Sequence, residues 1–340
     1  MISLPDPIYI TRCGKAYLGD ALELMAGLPD DSIDLVITSP PFALQRKKEY
    51  GNHDQEVYVD WLLGFTPEIK RILKPSGSFV IDLGGAYQKG RPIRSLYNYR
   101  VLIRLCDEQG WNLAEEFFWF NPAKLPSPIE WVNKRKIRAK DAVNTVWWLS
   151  KTDNPKANIA NVLAPYSDRM KRLLTNSEKY YTPKKRPSGH DISSRFGEDK
   201  GGAIPSNLLQ ISNTESNSQY LRFCKIVGSK GHPARFPQKL PEFFINFLTD
   251  FGDTVLDIFA GSNTTGAAAE ALCRQWMAFE LNQRYLAESA FRFLPDANED
   301  AVISLYNQLC TKGARNIRLA QVSQPRLFDE PSDYCVQDNE

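Results

Sequence analysis

Thr38-Ser39-Pro40-Pro41-Phe42 places a serine hydroxyl, paired prolines and an aromatic ring directly after an apolar run, Ile33 to Ile37. That run reads as a buried strand, and open α/β sheets bind ligands beyond the carboxyl ends of their strands. Pro40 and Pro41 stiffen the backbone and contribute no N–H donors. What the loop offers is acceptors: rigid carbonyls and the Ser39 hydroxyl, with the Phe42 ring alongside. Such a loop suits a primary amine carried on a flat heterocycle, held through its N–H groups while the ring stacks on the base. A plain Pro-Pro turn after a strand would carry the same residues.

A second chemical segment lies far along the chain. Thr254 to Gly266 reads as a strand running into a glycine-bearing turn, followed by a helix from Ala267 to Leu272. This is the layout of the first βα turn of a nucleotide-binding fold, where Gly261 lets backbone approach a ligand and the helix start supplies free N–H groups. The spacing is not Gly-x-Gly-x-x-Gly, and no Lys follows the glycines as a phosphate loop requires. Trp276 to Glu280 reads as the next strand, ending in a carboxylate placed to hold ribose hydroxyls. An ordinary βαβ unit with a surface Glu280 is the bland alternative.

The elements that must position these loops follow from periodicity. Ala16 to Leu18 reads as a short strand, Ala21 to Leu28 as a helix, Tyr58 to Leu73 as one helix stopped by Lys74-Pro75-Ser76-Gly77, and Ser78 to Leu83 as a buried strand. Asn98 to Gln109 reads as a helix; Trp111 to Phe120 and Val143 to Ser150 read as an antiparallel pair across a basic loop. Between Lys151 and Gly231, Ser, Asn, Pro, Lys and Gly dominate and apolar periodicity fades. Strong α/β signals return at Leu240, and the end of the chain is polar.

Bulk properties bound the function without choosing it. The chain has 340 residues and is 42% hydrophobic, enough for a real core. Mean hydropathy is −0.40; no apolar run is long enough for a membrane helix, and no signal peptide is visible. Six scattered cysteines and three histidines, with no Cys-x-x-Cys, suggest a reduced cytoplasmic chain with no metal site. A net charge of +2 cannot argue for nucleic acid, so that case rests on clusters: Arg46-Lys47-Lys48, Lys134-Arg135-Lys136 with Arg138 and Lys140, Arg169 with Lys171 and Arg172, and Lys184-Lys185-Arg186.

The Ser-Pro-Pro-Phe loop lying N-terminal to the Asp-x-Phe-x-Gly-Ser turn resembles the circularly permuted amino-methyltransferases of the β group. Three stretches carry a closer resemblance to the PvuII-type cytosine-N4 DNA methyltransferases of restriction-modification systems: Ser39 to Gly51 (SPPFALQRKKEYG), Leu125 to Arg138 (LPSPIEWVNKRKIR) and His232 to Phe244 (HPARFPQKLPEFF). The likeness runs from about Tyr17 to about Leu294. One departure from the wider pattern is Asn263, where a small residue, usually Gly, is common. Asn tolerates left-handed φ, so the turn should survive.

The resemblance implies a Rossmann-like α/β methyltransferase fold with a mostly parallel seven-stranded sheet, circularly permuted. Residues 1–150 would be the catalytic half, 151–231 a target-recognition region, 232–310 the cofactor-binding half and 311–340 a tail. It implies S-adenosyl-L-methionine as cofactor, with Asp257, Phe259, Gly261 and Ser262 in the cofactor turn, Glu280 on the ribose, Asp20 near the adenine, and His232, Pro233 and Phe236 near the methionine end. Ser39 and the Pro40 carbonyl would hold the exocyclic amine in the Pro40-Pro41 loop, and Phe42 would stack on a flipped base. Asp82 is expected to relay a proton from Ser39, because its strand should lie beside that of Ser39; capping the Gly84-Gly85 turn is its other reading. The implied substrate is double-stranded DNA, with CAGCTG as the sequence and its inner cytosine as the target. Arg46, Lys47, Lys48, Lys134, Arg135, Lys136 and Arg138 would line the DNA cleft. A monomer acting alongside a restriction endonuclease is expected. Adenine N6 methylation, or a non-catalytic DNA-binding protein of this fold, are the alternatives.

Overall fold

The computed structural model describes residues 3–43, 55–176, 198–214, 218–294 and 297–319. Its centre is a sheet in the order β2 (Gly14–Leu18), β9 (Gln275–Glu280), β8 (Thr254–Asp257), β3 (Ile33–Thr38), β4 (Leu73–Leu83), β6 (Val143–Ser150), β5 (Asn112–Phe120). Within this group β6 alone runs against its neighbours. The strands anticipated from the apolar runs are these, and β5 and β6 form the expected antiparallel pair.

The sheet is wider than seven strands. It has ten, because β1 (Tyr9–Ile10) and β10 (Ile317–Arg318) extend the β2 edge and β7 (Leu208–Gln210) pairs with β5 at the other. Strands of two or three residues cannot display a period of two. Their added pairing covers edges that would otherwise offer open N–H and C=O groups.

One expected helix is two. Gln55–Leu63 and Thr66–Ile72 are separate. Pro67 has no N–H to donate, and its ring would strike the carbonyl four residues back, that of Leu63. The Thr66 hydroxyl donates to that carbonyl instead, at 2.9 Å. The Lys74–Gly77 turn signal falls inside β4, where the pairing with β3 loses register between Ile33 and Leu35.

Side chains alternate across the sheet and both faces are buried, as parallel strands require. Val36, Phe79, Ile81 and Leu256 face one core under the helices Ala21–Ala26, Gln55–Leu63, Thr66–Ile72 and Tyr97–Asp107. Leu35, Ile37, Val80 and Val255 face the other, under Lys239–Leu248, Thr264–Ala271 and Gln283–Ser289. The 151–231 segment includes a helix at Asp168–Thr175, strand β7 and a helix at Gln219–Ile226. Tyr220 and Phe223 of that last helix pack with Phe291, Leu294 and Val302, so this end of the segment is continuous with the 232–310 core. Among the described residues no helix is long and apolar enough to cross a membrane.

Candidate active site

Strand β3 lies between β4 and β8, parallel to both. The loops that follow β3 and β8 therefore open at the same edge, although more than two hundred residues separate them in sequence. Thr38 at the end of β3 donates to Asp257 Oδ1 at 2.7 Å. Asp257 also accepts from Phe259 N–H at 3.1 Å and, through Oδ2, from the Thr265 hydroxyl at 2.7 Å. Burial pushes the Asp257 carboxyl up in pKa, and these donors oppose the push. Its carboxylate braces the turn and ties it to the Ser39 loop.

The turn itself uses left-handed backbone twice. Asn263 has φ +52° and ψ +45°, and its side chain caps the helix Thr264–Ala271 by accepting from Gly266 N–H at 3.0 Å. Asn thus fills the position where a small residue is common by supplying the cap as well as the conformation. The helix begins three residues before the expected Ala267 because this cap sets its start. Gly261 has φ +52°, and a Cβ there would lie 3.0 Å from the His232 ring. Its N–H donates to Glu280 Oε2 at 2.8 Å, while Asn282 N–H donates to Oε1 at 2.8 Å. Burial raises the Glu280 carboxyl, and these backbone donors resist. Ser262 is buried and held by Arg292 through its carbonyl at 2.7 Å and its hydroxyl at 3.1 Å. The Phe259 ring packs against Trp61 and Phe65.

Asp20 follows β2, which pairs with β9 so that Leu18 lies opposite Glu280. Two carboxylates therefore stand at neighbouring strand ends. Asp20 also caps Ala21–Ala26, its Oδ1 accepting from Leu22 N–H at 2.8 Å.

On the other side, Ser39 Oγ donates to Asp82 Oδ2 at 3.1 Å, and Asn144 Nδ2 donates to Asp82 Oδ1 at 3.0 Å. The cross-strand register explains the first contact, since Thr38 pairs with Ile81. Burial lifts the Asp82 carboxyl to about 6, against the pull of Asn144, Ser39 and the nearby Lys124 charge. Asp82 thus meets Ser39, the partner its strand position predicts, while the Gly84 carbonyl accepts from the Tyr97 hydroxyl. Phe42 lies so close to Gly84 that a Cβ there would come within 2.6 Å of its ring. Asn144, Lys124 and Tyr97 were not singled out in the sequence. They come from a strand, a loop and the start of the helix Tyr97–Asp107, and no local spacing marks them.

The His232 segment bridges the halves. His232 packs edge-on to Tyr285 with ring centroids 4.6 Å apart, and its backbone N–H donates to the Tyr220 hydroxyl at 2.9 Å. Burial, with the Arg235 charge, drives its pKa down to about 4, so the ring is neutral at pH 7. Phe236, four residues on, lines a narrow cavity with Thr38 and Asp82. Pro233 is exposed.

The candidate DNA contacts divide. Arg46, Lys47 and Lys48 lie outside the described residues. Lys134, Arg135, Lys136 and Arg138 share the connection between β5 and β6. Lys134 pairs with Glu130 at 3.3 Å, Arg135 lies over the Trp131 ring, and Arg138 donates to the Pro92 carbonyl. Arg138 is therefore a brace of that loop as well as a charge on it.

A mostly parallel sheet with a glycine turn, a strand-end acid and a hydroxyl–carboxylate pair opening at one edge defines a methyltransferase-type α/β fold. The chain belongs to the DNA methylase family, whose model matches residues 33–291. It is 63% identical over 304 residues to the type II methyltransferase M.PvuII of Proteus hauseri, covering 89% of this chain and 90% of that relative. The type II methyltransferase M.BglII of Bacillus subtilis is 24% identical over 313 residues, 91% of this chain and 78% of that relative. Among solved structures, PvuII DNA methyltransferase (cytosine-N4-specific) superposes with a TM-score of 0.74 at 55% identity, over 89% of this chain and 95% of that one. A DNA modification methylase of Thermus thermophilus, solved in complex with S-adenosyl-L-methionine, has a TM-score of 0.50 at 20% identity over 91% of this chain and 99% of that one, a likeness of fold.

Proposed function

We propose that this chain methylates the exocyclic N4 of cytosine in duplex DNA, with S-adenosyl-L-methionine as donor. The observation that carries the reading is the Ser39–Asp82 pair, 3.1 Å apart, opening beside the Asp257–Gly261 turn. The similarity to a cytosine-N4-specific enzyme at 55% identity supports the choice of base. The likeness to M.PvuII supports CAGCTG, with the inner cytosine as target, and a protective role beside a restriction endonuclease. We assign residues 151–231 to target recognition by position and take the working unit to be a monomer.

The donor set fits the cofactor. Asp20 and Glu280 present carboxylates at adjacent strand ends, suited to an adenine amine and a ribose diol. Gly261 keeps backbone bare at the turn, and the neutral His232 brings no second positive charge to it. When bound, S-adenosyl-L-methionine supplies a methyl group already activated on a sulfonium.

The protein's own part is to hold and deprotonate the amine. Ser39 Oγ and the Pro40 carbonyl accept its N–H bonds, which favours a pyramidal nitrogen with an available lone pair. Phe42 fixes the plane of the extruded base. As the nitrogen loses its proton, Ser39 Oγ takes it and passes its own to Asp82 Oδ2, which is ionised above about pH 6. Preorganised acceptors and proximity supply the rest.

The test is transfer from labelled cofactor to unmethylated duplex DNA containing CAGCTG, with product nucleosides identified by mass spectrometry. N4-methylcytosine at the inner position is expected. N6-methyladenine overturns the base assignment, and an unlabelled duplex overturns the reaction.

A further inference from the structure

Residues 121–142, joining β5 to β6, carry six basic side chains against two acidic ones. Two large apolar side chains nonetheless stand mostly in water among them. Leu125 is 81% exposed, the highest value among the described large apolar residues, and Ile129 is 62% exposed. A leucine left in water forgoes the burial it could gain elsewhere, so what holds it out matters.

The loop is braced. Asn121 N–H donates to the Ala142 carbonyl and Asp141 N–H to the Ser127 carbonyl, each at 2.9 Å. Lys140 Nζ donates to the Pro122 and Lys124 carbonyls at 2.9 and 3.2 Å. Arg94 grips the Asp141 carboxylate at 2.6 Å from the segment that follows Gly84 and Gly85. The loop also rises from the candidate chemistry. Asn144, just past its end, holds Asp82 at 3.0 Å, and Lys124, adjoining Leu125, is near enough to bias the Asp82 carboxyl.

We propose that residues 124–129 form a finger that enters the duplex when the target base is extruded, with Leu125 filling the gap the base leaves in the stack. The inference rests on the reading of this chain as a base-extruding DNA methyltransferase. A gap in a base stack exposes two flat apolar faces, and alkyl side chains are the groups proteins use to wedge between base steps. The surrounding charge selects the partner: Lys124 and the run Lys134 to Lys136 suit the flanking phosphates, so the exposed leucine faces nucleic acid rather than a second apolar protein surface.

The experiment compares single-turnover methylation by wild type and Leu125→Ala on two duplexes. One has a paired target cytosine; in the other the target is mispaired and already easy to extrude. Leu125 is exposed, so the variant should fold, and an unchanged melting temperature and cofactor affinity verify it. The expected result is a loss on the order of tenfold on the paired duplex, shrinking to about twofold or less on the mispaired one, with Leu125→Met close to wild type on both. An equal loss on both duplexes, or none on the paired duplex, overturns the finger. Wild-type protein that methylates neither duplex overturns the base-extrusion reading itself, and the finger with it.

Discussion

Asp82 and Asp257 are both buried aspartates near the carboxyl ends of strands that flank β3. Asp257 is held by two threonine hydroxyls and a backbone N–H, all from groups that are themselves fixed. Asp82 is held by an amide, Asn144, and by Ser39, whose hydroxyl sits on the loop that would meet substrate. The same residue type, at similar depth, is a brace in one place and, in the proposed reaction, a proton acceptor in the other. The partners decide which: donors locked in the fold fix a charge, whereas a hydroxyl on a ligand-facing loop gives it an outlet.

The contrast breaks first at Asp82. Ser39→Ala or Asp82→Asn should lower kcat about 10²–10⁴-fold while cofactor affinity holds. Thermal melting of Asp82→Asn at pH 8 sharpens the point. A carboxyl raised by burial stabilises the fold below its unfolded pKa, and that contribution is lost as pH rises through about 6. The variant should therefore melt no lower than wild type at pH 8, although it is nearly inactive.

Asp257→Ala should do the reverse. Stranding the buried hydroxyls of Thr38 and Thr265 should cost on the order of 2–4 kcal/mol, a melting temperature lower by about 4–8 °C, and weaken cofactor binding as the turn loosens. Glu280→Gln, which keeps one of two backbone contacts, should weaken cofactor binding about tenfold with kcat little changed, measured by calorimetry and steady-state kinetics. The smallest effect is in pH. Wild-type kcat should fall as pH drops through about 6, because protonated Asp82 cannot take the proton. Asn144→Leu should move that acid limb upward, since a hydrogen bond favouring the ionised form is lost; an unmoved limb would make Asn144 a packing residue.

Much of this was legible in the sequence because the signals are local. Apolar runs marked the strands, and the tolerance of Asn for left-handed backbone anticipated Asn263. The Ser39–Asp82 contact could be read because both residues close adjacent strands. The division of labour could not. Asp257 is a brace because Thr38, 219 residues away, donates to it, and Asn144 reaches Asp82 across a β4–β6 pairing whose register no spacing reveals. The edge strands were too short to announce themselves, and the helix break at Pro67 was masked by unbroken apolar periodicity on either side.

The most direct measurement is the single-turnover rate of N4-methylcytosine formation by Asp82→Asn beside wild type, with cofactor and CAGCTG duplex both saturating. A loss of about 10²-fold or more, with both binding affinities retained, is the expected result. A rate within about threefold of wild type, against that expected general-base effect, would contradict the assignment of Asp82 as the proton acceptor.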